Sequence, residues 1–184
     1  MPYDSSLCYA SRKKQIENIF LKMSHNCFSK HDQKYSIGGI AKVKYVSKQA
    51  LSMLMSEIEH NPKSRLPEKL LGNLARCKGF VFDHSIPVEV IWRWLRSSKD
   101  NATRDAIEDV ISSGAICYAL LSKDEDKLLN AHGLRSKMPD SWNNKLDNSN
   151  VLLRYTVAKI DVVDANVAYK AICSIRELKN SHDK

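Results

Sequence analysis

No stretch of this chain approaches the ~20 consecutive apolar residues that a membrane-spanning helix requires, because Lys, Arg, Asp or Glu interrupts every hydrophobic segment. The opening residues, MPYDSSLCYASRKKQ, also lack the apolar core of a secretory signal. These two absences lead to the expectation of a soluble, cytoplasmic protein with no membrane partner. Cysteine is sparse: Cys8, Cys27, Cys77, Cys117 and Cys173 are odd in number, widely spaced and form no C-x-x-C. That argues against a disulfide framework and against a ribbon-type zinc site. Glycine is scarcer than in most nucleotide-binding chains, with six in all, and neither G-x-x-x-x-G-K-[ST] nor G-x-G-x-x-G occurs. G-x-S-x-G and H-E-x-x-H are missing as well, so nucleotide hydrolysis and the common serine and zinc hydrolase motifs drop out. Finally there is no repeat and no Gly/Ser or Pro linker, so residues 1–184 are expected to form a single domain.

What is present is unevenly distributed charge. Residues 1–78 hold 14 Lys and Arg against 6 Asp and Glu, whereas residues 79–184 hold 15 against 15. The whole net charge of +8 therefore lies in a basic N-terminal half, ahead of a charge-balanced α/β half. A basic half can neutralise phosphates and gain affinity by releasing counterions, which makes DNA or RNA the leading partner class. An acidic protein is the alternative partner, and a merely solvated basic surface is the bland one.

Hydrophobic spacing outlines the elements. Ile16, Ile19, Phe20, Met23, Cys27 and Phe28 predict a helix over 12–29. The run IAKVKYV predicts a strand with Lys42 and Lys44 on one face, and Ser47 is placed to cap a helix reaching His60. Pro67 opens a short helix, and Phe80, Val81 and Phe82 predict a buried strand that ends at Asp83 and His84. Pro87 then starts VEVIWRWLRSS, a helix apolar on most of its circumference. Thr103 or Asn101 caps the next helix, Gly114 terminates it, and AICYALL follows as a strand. Ser122 and Glu125 make the S-x-x-E capping box of a further helix closed by Gly133. A long polar loop covers 134–150, VLLRYTVAKIDVV predicts a strand, and Asp164 caps a last helix to about Leu178, leaving NSHDK frayed. The expected class is α/β or α+β, a small sheet of about four strands surrounded by helices.

Three constellations could carry chemistry. Asp83 and His84, in FDHSIP, stand at the end of a buried strand, where a side chain is held rigidly yet reaches solvent, as a general base or metal ligand must. The string resembles the Asp-His-x-x-Pro at the first strand of the HNH nuclease family. That resemblance, confined to these residues, implies that His84 activates water and that a divalent metal ion engages the phosphate. The second constellation is the loop HGLRSKMP, where Arg135, Ser136 and Lys137 could hold phosphate oxygens and Trp142 could stack on a base. The third is His25, Cys27 and His31, which with Cys8 would offer four zinc ligands; the apolar stripe carrying Cys27 turns His25 elsewhere, so no metal ligands are assigned.

The expectation is thus a nucleic-acid-binding protein. Lys42, Lys44, Lys48, Ser136 and Trp142 would make the contacts, and Asp83, His84, Arg135 and Lys137 would make it a nuclease. The alternative is a non-catalytic binding or regulatory module for nucleic acid or an acidic protein.

Overall fold

The computed structural model describes residues 14, 16–21, 41–72, 77–97 and 102–182. Four strands form one mixed sheet in the order β2-β3-β1-β4. β1 (Lys42–Ser47) runs parallel to β3 (Cys117–Ser122), and the two edge strands, β2 (Phe80–His84) and β4 (Val162–Asp164), are antiparallel to their neighbours. The register slips between Val43 and Tyr45, a bulge that breaks the simple alternation read in IAKVKYV.

The two parallel strands each feed a helix through a serine. Ser47 accepts from the Ala50 amide at the start of α1 (Lys48–His60), as its position predicts. Ser122 and Glu125 form the expected capping box at the start of α5 (Lys123–Ala131). Folding adds a link that the spacing does not contain: the Ser47 hydroxyl donates to the buried carboxylate of the same Glu125. One acidic side chain thereby closes both strand–helix junctions.

Each sheet face has its own cover. On one, Val46 and Leu120 pack with Leu54 and Ile58 of α1, with Leu70 of α2 (Leu66–Leu71), and with Ala168 and Ile172 of α7 (Ala165–His182). On the other, Ala119 and Leu121 pack with Leu129 of α5 and Tyr155 of α6 (Leu153–Val157). A third cluster lies beyond the sheet, where α3 (Val88–Leu95) and α4 (Arg104–Ser112) meet Ile16 and Ile19 of the helical segment at 16–21. Trp92 is fully buried in it, and the apolar circumference of α3 is covered by this chain's own elements. Loop residues Met138, Leu146 and Val151 insert into the same cluster. Among the described residues no helix is long and apolar enough to cross a membrane.

The largest departure from the sequence reading is VLLRYTVAKIDVV. Only Val162–Asp164 is strand, while Leu153–Val157 forms a helical turn that ends at Lys159, whose φ of 56° lies in the left-handed region. Val, Tyr and Thr favour strands locally, but a strand would turn Arg154 and Tyr155 to opposite sides. The turn instead presents both inward with Ala158, and burial overrides propensity. At the C-terminus α7 continues through Asn180–Ser181 to His182, so the predicted fraying does not begin at Leu178.

Candidate nucleic-acid interface

One end of the sheet gathers most of the residues singled out in the sequence. β2 ends there with Asp83 and His84, β3 and β1 begin there with Cys117 and Lys42, and β4 ends there with Asp164. Lys48 is elsewhere. It opens α1 at the far end of β1, roughly 20 Å away at ~3.3 Å per strand residue, and its ammonium pairs with Asp161 at 3.0 Å on an exposed surface. Lys42, Lys44 and Lys48 therefore do not make one strip.

Asp83 and His84 share a strand end but not a direction, since successive strand side chains alternate faces. His84 lies against the Tyr118 ring, centroids 4.4 Å apart, while Asp83 turns to the face that carries Tyr155. There the Tyr155 hydroxyl donates to Asp83 Oδ2 at 2.7 Å and Arg154 Nη1 donates to the same oxygen at 3.1 Å. Arg154 has no exposed surface. Its guanidinium also donates to the carbonyls of His84 (2.6 Å), Leu134 (2.7 Å) and Arg135 (3.3 Å), so it ties the strand end to the HGLRSKMP loop. Burial raises the Asp83 carboxyl above its ordinary value, with Arg154 and the Tyr155 hydroxyl pulling it back down. Burial, followed by the Asp83 charge, holds the Tyr155 phenol well above its own ordinary value. The first turn of α3 follows Pro87, which supplies no side-chain cap.

Among the described residues no group of three His, Cys, Asp or Glu side chains could hold a metal ion, so Asp83 and His84 gain no further ligands of the kind the HNH resemblance implies. Cys8, His25, Cys27 and His31 lie outside the described residues. Arg135, Ser136 and Lys137 are exposed beside this cluster. Trp142 is half-buried against the third cluster, and its indole donates to the Lys145 carbonyl at 3.1 Å, which makes it a staple of the loop. The loop is ordered throughout by such bonds: the Trp94 indole donates to the Asn144 carbonyl, and the Asn150 amide donates to Asn143 and Asp147.

Lys42 and Lys44 instead border an open cleft of about 300 Å³ that Val43, Ile111, Gly114, Ile116 and Cys117 also line, together with Asp164 at the end of the adjoining β4 and Ala165 and Asn166 at the start of α7. Lys44 Nζ donates to Asn148 Oδ1 at 2.6 Å, which brings the long loop to the rim. Asp164 accepts from the Asn166 amide and so caps α7, as its position predicts. The Cys117 thiol is pushed up by burial and stays protonated.

Gly114 has a φ of 77°, and a β-carbon there would meet Lys44 Nζ at 3.1 Å. The lysine can swing aside, but the left-handed backbone cannot relax for an L side chain. Gly114→Ala should therefore lower stability by about 1–2 kcal/mol in denaturant unfolding. A neutral or stabilising result would mean that the turn rearranges.

What the geometry defines is a small mixed α/β domain with a basic cleft at one sheet end. No family model, curated protein or solved structure matches this chain.

Proposed function

We propose that the protein binds nucleic acid, with the cleft bordered by Lys42 and Lys44 as the centre of its contact surface. The observation that carries this reading is the convergence of two lysines from the basic half on a solvent-open recess. The concentration of the +8 net charge in residues 1–78 supports it, since phosphate neutralisation supplies sequence-independent affinity. Binding is preferred to cleavage. The resemblance makes His84 the base, and that imidazole is half-buried against the Tyr118 ring, while its neighbour Asp83 is held by Arg154 and Tyr155 on the other face of the strand. Arg135 and Lys137, exposed beside that cluster, extend the contact surface.

Anisotropy titration of labelled single strands and duplexes of DNA and RNA across a salt series tests the reading. The double variant Lys42→Glu/Lys44→Glu should weaken binding and lower the slope of log K against log salt by about 1–2, since each lysine–phosphate contact contributes about 1. Lys48→Ala, at the other end of β1, should leave both unchanged. Absence of binding at low salt, or indifference to the double variant, would reject the assignment. Cleavage in the presence of Mg²⁺, Mn²⁺ or Zn²⁺ that disappears in His84→Ala would restore the nuclease reading.

A further inference from the structure

We propose that the cleft seats a single unpaired nucleotide, so that the protein prefers single strands or extruded nucleotides to continuous duplex. This rests on the nucleic-acid reading and names the form of ligand that the same site takes.

Size is the first argument. About 300 Å³ lies at the lower bound of ligand pockets, which run from roughly 300 to 1,000 Å³. One nucleotide unit fits such a recess, whereas a duplex presents a convex backbone that would lie across the rim without entering.

Composition is the second. Val43, Ile111 and Ile116 give the lining its aliphatic residues, and Gly114, between the two isoleucines in sequence, adds no side chain to it. Extruded bases are received between apolar or aromatic side chains in this manner. Among the described residues no aromatic side chain lines the cleft, so affinity depends on filling the recess more than on ring stacking, which gives sequence-tolerant binders much of their strength.

Charge is the third. Lys42 and Lys44 lie on β1, whereas Asp164 ends the adjoining β4 and Asn166 follows in α7. A phosphate is favoured at the lysines and disfavoured beside the Asp164 carboxylate. That carboxylate suits a neutral donor, such as a base amino group or a sugar hydroxyl. The lining therefore holds both signs of charge, which matches one phosphate joined to one heterocycle and does not match a run of phosphates.

Asn166 is exposed, and only its backbone amide is engaged by Asp164, so Asn166→Trp fills the cleft without removing either lysine. Titrations with a labelled single strand and a duplex of the same sequence, on wild type and variant, test the inference. Thermal unfolding of each variant confirms that it is folded. The wild type should bind the single strand at least tenfold more tightly than the duplex. Asn166→Trp should lose most of that preference, with the single-strand affinity falling at least tenfold and the duplex affinity falling less. Excess nucleoside monophosphate should compete with the strand. Equal affinity for strand and duplex, or a single-strand affinity unchanged or raised in Asn166→Trp, would overturn the inference while leaving the nucleic-acid reading in place. A nucleoside monophosphate binding more tightly than the strand would overturn the strand as its source. No binding of strand or duplex would overturn both readings together.

Discussion

Replacing Arg154 with Met should lower the stability of the protein by about 3–5 kcal/mol, the range found when one partner of a buried ion pair is removed. The cost lies in what the guanidinium leaves behind. Asp83 would remain a buried carboxylate with Tyr155 as its neighbouring donor, and the carbonyls of His84, Leu134 and Arg135 would each lose a charge-assisted hydrogen bond. Methionine fills similar volume, so the loss reports the polar contacts more than a cavity. Urea unfolding measures it, and a loss below about 1 kcal/mol would mean that water replaces the guanidinium.

The same pair gives stability a pH dependence whose sign can be worked out. Asp83's folded pKa is raised above its ordinary value of 3.8, chiefly by burial. The folded protein therefore binds its proton more tightly than the unfolded chain does. This contribution is fully present below the ordinary aspartate value and is lost as pH rises through the raised folded one. Asp83→Asn should abolish that decline in unfolding free energy between the two values. An unchanged profile would place the carboxylate in a wetter setting.

Trp92→Ala should cost about 3–5 kcal/mol, as large-to-small changes at buried aromatic positions do. Trp92 is fully buried, in the cluster where the helical segment at 16–21, α3, α4 and the long loop meet. Few side chains could shift to close the space, because the loop is pinned by the Trp94 and Trp142 indoles and by Asn150. A loss under 1 kcal/mol would show that the cluster collapses freely. The backbone carbonyl of Trp92 accepts from the Arg96 side chain, a bond that the truncation keeps.

The sequence exposed those parts of the fold that are specified locally. The Ser47 cap, the stripe of Leu54 and Ile58 and the stop at Asn61-Pro62 lie within a few turns of one another, and α1 forms where they indicate. Thr103, Gly114, Ser122 and Glu125 punctuate the chain in the same way. Asp83 was legible as a strand-end residue, but its partners were not, because Arg154 lies 71 residues on, in a segment whose local composition favours a strand. The available signal was chemical: a lone Arg in the apolar run VLLRYTV must find acceptors if it is buried. Lys42 and Lys44 were legible as basic residues, while the recess they border depends on Ile111, Asn148 and Asp164, brought together only by folding. Lys48 was grouped with them by proximity in sequence, and the length of β1 separates it.

The carboxylate of Glu125 joins the Ser47 hydroxyl, 78 residues earlier, to the backbone amide of Ser122. Each bond serves a different helix start, so α1 and α5 cannot fray from their first turns independently. An opening at the α5 junction strips the Ser47 hydroxyl of its acceptor, and an opening at the α1 junction strips the Glu125 carboxylate of a donor. The two parallel strand–helix units are therefore coupled as a single cooperative block across the sheet end opposite the cleft. A ligand that binds among Lys42, Lys44 and Asn148 meets the far end of the strands from that block and need not break the bonds that couple it.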